Sequence, residues 1–541
     1  MNDQPPPLEF ALDLEWGLDF VSPSEFVDEF NEFIAHIREN DVEDLTILEI
    51  TGFSYDNDEL IEISKALETN TTVDYVVIKD IGHEDMIADG NLHHEGMISF
   101  MKALKNNKTI RRLCFDNLNI ANNDIMLHFS EALTENTSVT DLEIFYCTIC
   151  RNRSDIELLS NALKVNGTIE RLVICNNKNP KSLSENMYIL FDALSHNKSI
   201  RELDLNCSYV EQNRSASTKH LSKMITLNNI IQKLKLTGNI IGNDTTNMQC
   251  LFDALRYNTS IKHLELVGSG IKAYPDSSGL VYISEMIRFN TTIEKLYLCY
   301  NDIGKWADSF GMEQFSKSLQ ANTTIRTLNL ANCNLKANAK NISYLSDVLT
   351  TNKSIQKLKL SFGDIELQNE TYEFLEMIEN HTTIESLTLC VNSESYNIND
   401  ETVERFIEAM KLNTSIRNLK ISSSTFTTHH GRLMLFSEML RVNTTIRALR
   451  FFDPITEWQF NGYVLWTYRN EVPTEITSHI FDTLRVNPTI QVLDLLMCCN
   501  FDDETKNTVK SFLERNKHNN KQKDMQLFGA LLLKVGSYDE T

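Results

Sequence analysis

The apolar positions of this chain keep two periods in alternation. Leucine pairs spaced by one residue, such as Leu203-Asp-Leu205 and Leu358-Lys-Leu360, alternate apolar and polar side chains, which predicts short strands with one buried face. Ahead of each pair the period changes. Phe129/Ala132/Leu133, Leu159/Ala162/Leu163, Leu251/Ala254/Leu255 and Phe436/Met439/Leu440 fall at i, i+3 and i+4, the stripe of an amphipathic helix. One strand and one helix therefore make a unit.

The unit recurs with a fixed phrase: Asn136-Thr-Ser-Val-Thr-Asp-Leu142-Glu-Ile144, Asn290-Thr-Thr-Ile-Glu-Lys-Leu296-Tyr-Leu298, Asn322-Thr-Thr-Ile-Arg-Thr-Leu328-Asn-Leu330. From Ile110 to Ile446 its β-branched residue returns every 29 to 32 residues. The Asn before it is expected to end the helix in the left-handed backbone region, which Asn tolerates best after Gly, with the next Thr or Ser bonding the turn. Such units must stack with parallel strands. Helices need about 8–10 Å per layer against about 4.8 Å for strands, so the stack should curve, with the sheet on the concave side and the helices on the convex side.

These residues resemble the leucine-rich repeats of the ribonuclease-inhibitor-like class, found in Ran GTPase-activating proteins, tropomodulin and the repeat arms of NOD-like receptors. The resemblance implies an α/β horseshoe solenoid of about 14–15 repeats over residues 41–515. Residues 1–40 should hold an N-terminal capping helix, since Ser22-Pro23-Ser24-Glu25 reads as a helix start followed by Phe26, Phe30, Phe33 and Ile37 at helical spacing. Residues 516–541 should form a C-terminal cap or tail, with Met525, Leu527, Phe528, Leu531 and Leu532 as its apolar face.

Two steps exceed the period. That from Val73 to Ile110 carries His83-Glu84-Asp85 and His93-His94-Glu95, read as loop residues and not as a metal site. That from Ile446 to Ile490 holds an aromatic insertion at residues 452–477, where Trp458, Tyr463 and Trp466 make a candidate patch, either core packing or a contact surface.

Composition narrows the function. A net charge of −24 argues against a nucleic-acid or anionic-membrane partner, because like charges repel. Met1 to Leu14 carries acidic residues and Pro5-Pro6-Pro7 where a secretory signal would have a basic, then apolar run. The 11 cysteines fall at small buried positions such as Cys114, Cys175, Cys299 and Cys390, which favours reduced thiols and a cytoplasmic location. Asn-x-Ser/Thr sequons at Asn136, Asn166, Asn197, Asn258, Asn290, Asn322, Asn413 and Asn443 keep the repeat's phase, so a structural origin is expected for them. Cys147-Thr-Ile-Cys150 is read as a buried pair, and no motif assembles a nucleophile, a base and an oxyanion donor. No enzyme, metal or cofactor is expected.

Binding should therefore fall to the open sheet face, at the residue before the first Leu of each pair and the one between the two. Acidic residues predominate there in the early repeats. From Lys233 onward the strip turns basic, through Lys233, Lys235, Lys295, Tyr297, Lys357, Lys359, Lys420 and Arg450. The expectation is a cytoplasmic scaffold that engages a protein with an acidic surface patch. The resemblance implies one alternative, a GTPase-activating protein for a small Ran-like GTPase, whose long acidic tail this sequence replaces with Lys521, Lys523 and Asp539-Glu540-Thr541.

Overall fold

A computed structural model describes residues 23–39, 46–51, 57–79, 94–175, 180–206, 217–239, 241–243, 245–271, 278–304, 309–335, 339–361, 371–390, 400–422, 430–452, 470–471, 474–494, 499–500 and 503–535. The chain divides into two compact units, Met1–Gly270 and Ile271–Thr541.

In the first unit, strands β1 (Ile47–Thr51), β2 (Tyr75–Lys79), β3 (Arg112–Asp116), β4 (Asp141–Phe145), β5 (Arg171–Cys175), β6 (Glu202–Asp204), β7 (Lys233–Lys235) and β8 (His263–Glu265) lie side by side in sequence order. Each pairs in parallel with the next. Helices α1 (Pro23–Glu39), α2 (Asn57–Thr69), α3 (His94–Asn106), α4 (Asn123–Glu135), α5 (Arg153–Val165), α6 (Pro180–His196), α7 (Ser217–Leu227) and α8 (Thr245–Tyr257) alternate with them.

The second unit repeats the plan. Strands β9 (Lys295–Tyr297), β10 (Thr327–Asn329), β11 (Lys357–Ser361), β12 (Ser386–Cys390), β13 (Asn418–Ser422), β14 (Ala448–Phe452) and β16 (Val492–Asp494) are parallel neighbours. Their helices are α9 (Ser278–Phe289), α10 (Ser309–Ala321), α11 (Ala339–Thr351), α12 (Thr371–Asn380), α13 (Asp400–Leu412), α14 (His430–Val442), α15 (Thr474–Val486) and α16 (Asp503–Val535). Beside the main ladder, β15 (Asn470–Glu471) pairs with β17 (Cys499–Asn500).

The core sits between sheet and helices, where the periodicity put it. In the first unit Leu203 and Leu205 are buried on the strand side and Phe129, Ala132, Leu133, Leu251 and Leu255 on the helices; in the second, Leu358 and Leu360 are buried on the strand side and Phe436 and Met439 on the helices. Aromatic edges order part of this layer: Phe115 takes Phe100 and Phe129 in edge-on contact, with ring centroids 6.3 and 5.5 Å away.

The recurrent Asn works differently from the expectation. Asn136 and Asn166 have extended backbones, with φ −69° and −61°, so left-handed tolerance is not what selects them. Their side chains do the work. Oδ1 of Asn136 accepts the backbone N–H groups of Ser138 and Val139 at 2.9 and 2.8 Å. Its Nδ2 donates to the carbonyls of Leu104 and Asn107 in the preceding repeat, at 2.7 and 3.1 Å. Acceptor on one side and donor on the other, the amide closes its own turn and ties it to the turn before. The same geometry recurs at Asn197 and Asn258 in this unit. The second unit has it at Asn322, Asn352 and Asn443.

That ladder also accounts for the sequons. Asn136, Asn166, Asn197, Asn258, Asn290, Asn322, Asn413 and Asn443 are all buried. Wherever the Nδ2 bonds are seen, the nitrogen a glycan would occupy is already donating into the protein.

Toward the N-terminus the rung at Asn70 reaches the carbonyl of Ile37 in α1, 2.8 Å away, and Ile34 and Ile37 are buried. The proposed start at Ser22 lies outside the described residues, as do the side chains of Met525, Leu527, Phe528, Leu531 and Leu532. Trp458, Tyr463 and Trp466 lie outside them too, with His83, Glu84, Asp85 and His93. Among the described residues no helix is long and apolar enough to cross a membrane.

Candidate functional site: the open face of the two sheets

Alternation along each strand sends the first and third residues to the face that the helices leave open, and parallel register lines them up in two rows. In the first unit one row runs Arg112, Asp141, Arg171, Glu202, Lys233, His263 across β3 to β8. Its charges alternate in sign at nearly every step. The second row runs Cys114, Glu143, Val173, Asp204, Lys235, Glu265.

These charges satisfy one another. Arg171 pairs with Glu143 on one side and lies 3.5 Å from Glu202 on the other. Glu202 receives Lys233 at 2.9 Å, with Lys235 at 3.8 Å, and Lys235 also meets Asp204 at 3.0 Å. His263 stands 2.9 Å from Glu265. Burial on its own would raise the Glu202 carboxyl, yet the Lys233 hydrogen bond and the charges of Lys233, Lys235 and Arg171 hold it below the ordinary range. For Lys235 burial, which favours the neutral amine, is outweighed by Asp204 and Glu265, and its ammonium is held above the ordinary value. Opposite charges at cross-strand positions each contribute about 0.2–1 kcal/mol. The first unit's open face is thus a self-compensated lattice, and two of the sequence-predicted binding lysines, Lys233 and Lys235, belong to it.

The lattice continues toward the N-terminal side with neutral partners. Arg112 lies over the Tyr75 ring, 4.0 Å from its centroid. Desolvation, with Glu143 nearby, pushes the Tyr75 phenol and the Cys114 thiol each up to about 12. Cys175 hydrogen-bonds to Asp204 at 3.2 Å and is pushed up as well, chiefly by burial. Thiols so held are neutral and unreactive. Cys147 and Cys150 are both buried, as expected of a packed pair, and neither forms a disulfide.

The second unit's open face has another composition. Its rows read Lys295, Thr327, Lys357, Ser386, Asn418, Ala448, Val492 and Tyr297, Asn329, Lys359, Thr388, Lys420, Arg450, Asp494. Five cations face a single carboxylate, at the far end. Lys295 and Lys357 are exposed, while Tyr297, Lys359, Lys420 and Arg450 are half-buried. No ion pair joins Lys295, Lys357, Lys420 or Arg450 to a carboxylate among the described residues of the unit. Neutral Thr327, Ser386, Thr388 and Asn418 stand where the first unit has Asp141, Glu143, Glu202 and Asp204. The periodic reading of the sequence found the basic strip but missed this division, which appears only when each strand is set beside its neighbours.

His94, the described member of the histidine-rich step, begins α3 and stands 3.7 Å from Asp124. No group of three or more His, Cys, Asp or Glu side chains gathers as a metal site among the described residues.

One short parallel strand and one helix per repeat, joined by a buried Asn at the turn, fit a leucine-rich-repeat protein of the ribonuclease-inhibitor-like class. No protein-family model matches the chain, and no curated protein does. Among solved structures the chain is similar to TLR13 in its complex with ssRNA13, at 12% identity and a TM-score of 0.39, over 76% of this chain and 49% of that one. It spans about half the length of that protein. It is also similar to leiomodin-1 actin-binding site 2, at 13% identity and a TM-score of 0.19, over 48% of this chain and 98% of that one. Likeness this distant transfers no partner, so the function has to be read from the open face itself.

Proposed function

We propose that the protein is an interaction scaffold that uses the open sheet face of its second unit to hold a protein with an acidic surface. The observation that carries this reading is the contrast between the two faces. Where the first unit answers Arg171, Lys233 and Lys235 with carboxylates at ion-pair distance, the second presents Lys295, Lys357, Lys420 and Arg450 with none at that distance among the described residues. Leaving cations unpaired on a sheet gives up cross-strand stabilisation, and a partner's carboxylates would restore it. Solubility does not require the arrangement, because the chain already carries a net charge of −24. Lys233 and Lys235 drop to a supporting role, since engaging them means breaking the pairs they have.

A cytoplasmic location belongs to the same reading. Buried free thiols support it, as do sequon asparagines whose amide nitrogens are committed to the ladder.

The test compares charge reversals in the two units. Lys357→Glu with Lys420→Glu should remove the proteins that the wild type captures at low salt, and should flatten the salt dependence of capture. Lys233→Glu with Lys235→Glu should leave the captured set largely unchanged. Equal loss from both pairs, or from neither, would refute the assignment to the second unit.

A further inference from the structure

Within that basic face four positions stand in unbroken register: Lys359 on β11, Thr388 on β12, Lys420 on β13 and Arg450 on β14. Three are cations and the fourth is a hydroxyl. Neighbouring strands lie about 4.8 Å apart, so the row spans about 14 Å, within reach of convergence for lysine and arginine side chains. Lys420 and Arg450 are direct cross-strand partners. Like charges in that relation repel, and no carboxylate separates them. Asp494 follows Arg450 along the row, and no ion pair within the unit joins the two. All four residues are half-buried, which limits the water available to screen them.

We propose that Thr388, Lys420 and Arg450 form a clamp for a phosphate monoester carried on a side chain of the partner protein. The clamp rests on the scaffold reading and names the chemistry of its ligand. A single carboxylate neutralises one of two adjacent cations, whereas a phosphoserine or phosphothreonine brings a charge near −2 and three acceptor oxygens. The Arg450 guanidinium offers a planar fork for two of those oxygens, the Lys420 ammonium a point charge, and the Thr388 hydroxyl a further donor. Lys359 flanks the three in the same row. A clamp of this kind would make binding depend on whether the partner is phosphorylated.

The experiment uses the full chain and three fluorescent twelve-residue peptides of Asp, Glu, Gly and Ser. They are identical except for a central phosphoserine, serine or glutamate, and binding is read by anisotropy. The phosphopeptide should bind about ten-fold more tightly than the glutamate peptide, in keeping with the greater strength of charge-assisted bonds to a dianion. That advantage should shrink as pH falls through about 6, where phosphate takes its second proton. Lys420→Gln with Arg450→Gln should abolish the advantage, Lys233→Gln should not, and a circular dichroism melt should show all variants folded.

Equal binding of the phosphoserine and glutamate peptides would overturn the clamp and leave the acidic-partner reading standing. Binding of none of the peptides would overturn both. Tighter binding of inositol hexakisphosphate or of a single-stranded RNA oligonucleotide than of the phosphopeptide would overturn the assignment to a phosphorylated protein.

Discussion

The side-chain amide of Asn443 donates to the backbone carbonyl of Asn413 at 3.1 Å, so that one repeat's turn is held by the turn before it. A second donation to Met410, at 2.7 Å, and two N–H groups accepted from Thr445 and Ile446 leave no valence of this buried amide idle. Replacing it with Ala would strand two carbonyls and two N–H groups away from water. Asn443→Ala should cost about 2–4 kcal/mol, since each unsatisfied buried group costs roughly 1–3 kcal/mol and the neighbours relax in part. Asn443→Asp keeps the acceptor and loses the donors, so it should also destabilise. Thermal melts of both variants would check this, and an unshifted Asn443→Asp melt would show that the donations are dispensable.

One rung breaks the rule in a useful way. His381 occupies the ladder position between Asn352 and Asn413, and its Nδ1 accepts the N–H groups of Thr383 and Ile384, each at 3.0 Å. An acceptor Nδ1 must be unprotonated. Desolvation, aided by the Lys353 charge and opposed by a hydrogen bond to the Leu349 backbone, lowers the imidazole to about 4 from its ordinary 6.5. The unfolded chain therefore takes up this proton first as pH falls. His381 contributes its full stabilisation above pH 6.5, and this contribution drains away between 6.5 and about 4, by up to about 3 kcal/mol. His381→Asn, which supplies acceptor and donor at any pH, should flatten the melting temperature across that window. A wild-type melt that falls no faster than the variant's would contradict this.

The first unit's lattice makes a separate claim. A double-mutant cycle on Glu202→Gln and Lys233→Met should return a coupling of about 0.5–1 kcal/mol, as for other cross-strand ion pairs. Because the Glu202 carboxyl is held low, the coupling should be present above the ordinary carboxylate range and vanish as acid protonates it. A coupling that survives full protonation would mean the pair is held by packing instead.

The sequons make a prediction about biosynthesis. A glycan added to Asn322 or Asn443 during synthesis would block donation to Asn290 or Asn413. Fusing the chain to a secretory signal should yield a glycosylated, poorly secreted product with shifted gel mobility that a glycosidase reverses. Substituting the sequon threonines Thr324 and Thr445 with Ala should restore part of the yield. Efficient secretion of folded, fully glycosylated protein would refute the role assigned to the ladder.

How much of this the sequence disclosed depends on how far each interaction reaches. The Leu-x-Leu pairs and the Phe129/Ala132/Leu133 type of stripe are local, and the strand and helix they predict are where they should be. Asn136 was legible as a recurrent residue but not as a rung. Its reason lies partly in carbonyls 29 and 32 residues upstream, and a local backbone preference cannot see them. The pairing of Lys233 with Glu202 was hidden for the same cause. A row of lysines reads as basic until the strand alongside supplies a carboxylate. Writing the repeats one beneath another aligns Arg171, Glu202 and Lys233 in a column, and that was the signal available in advance.

Each rung of the asparagine ladder asks nothing of its predecessor beyond two backbone carbonyls, which every residue type provides. An array built on that rule can be extended or shortened by duplication or loss of a whole unit without redesigning the join. The face that such units carry is then free to diverge position by position, so one length of chain can evolve a recognition surface while its neighbour keeps its charges to itself.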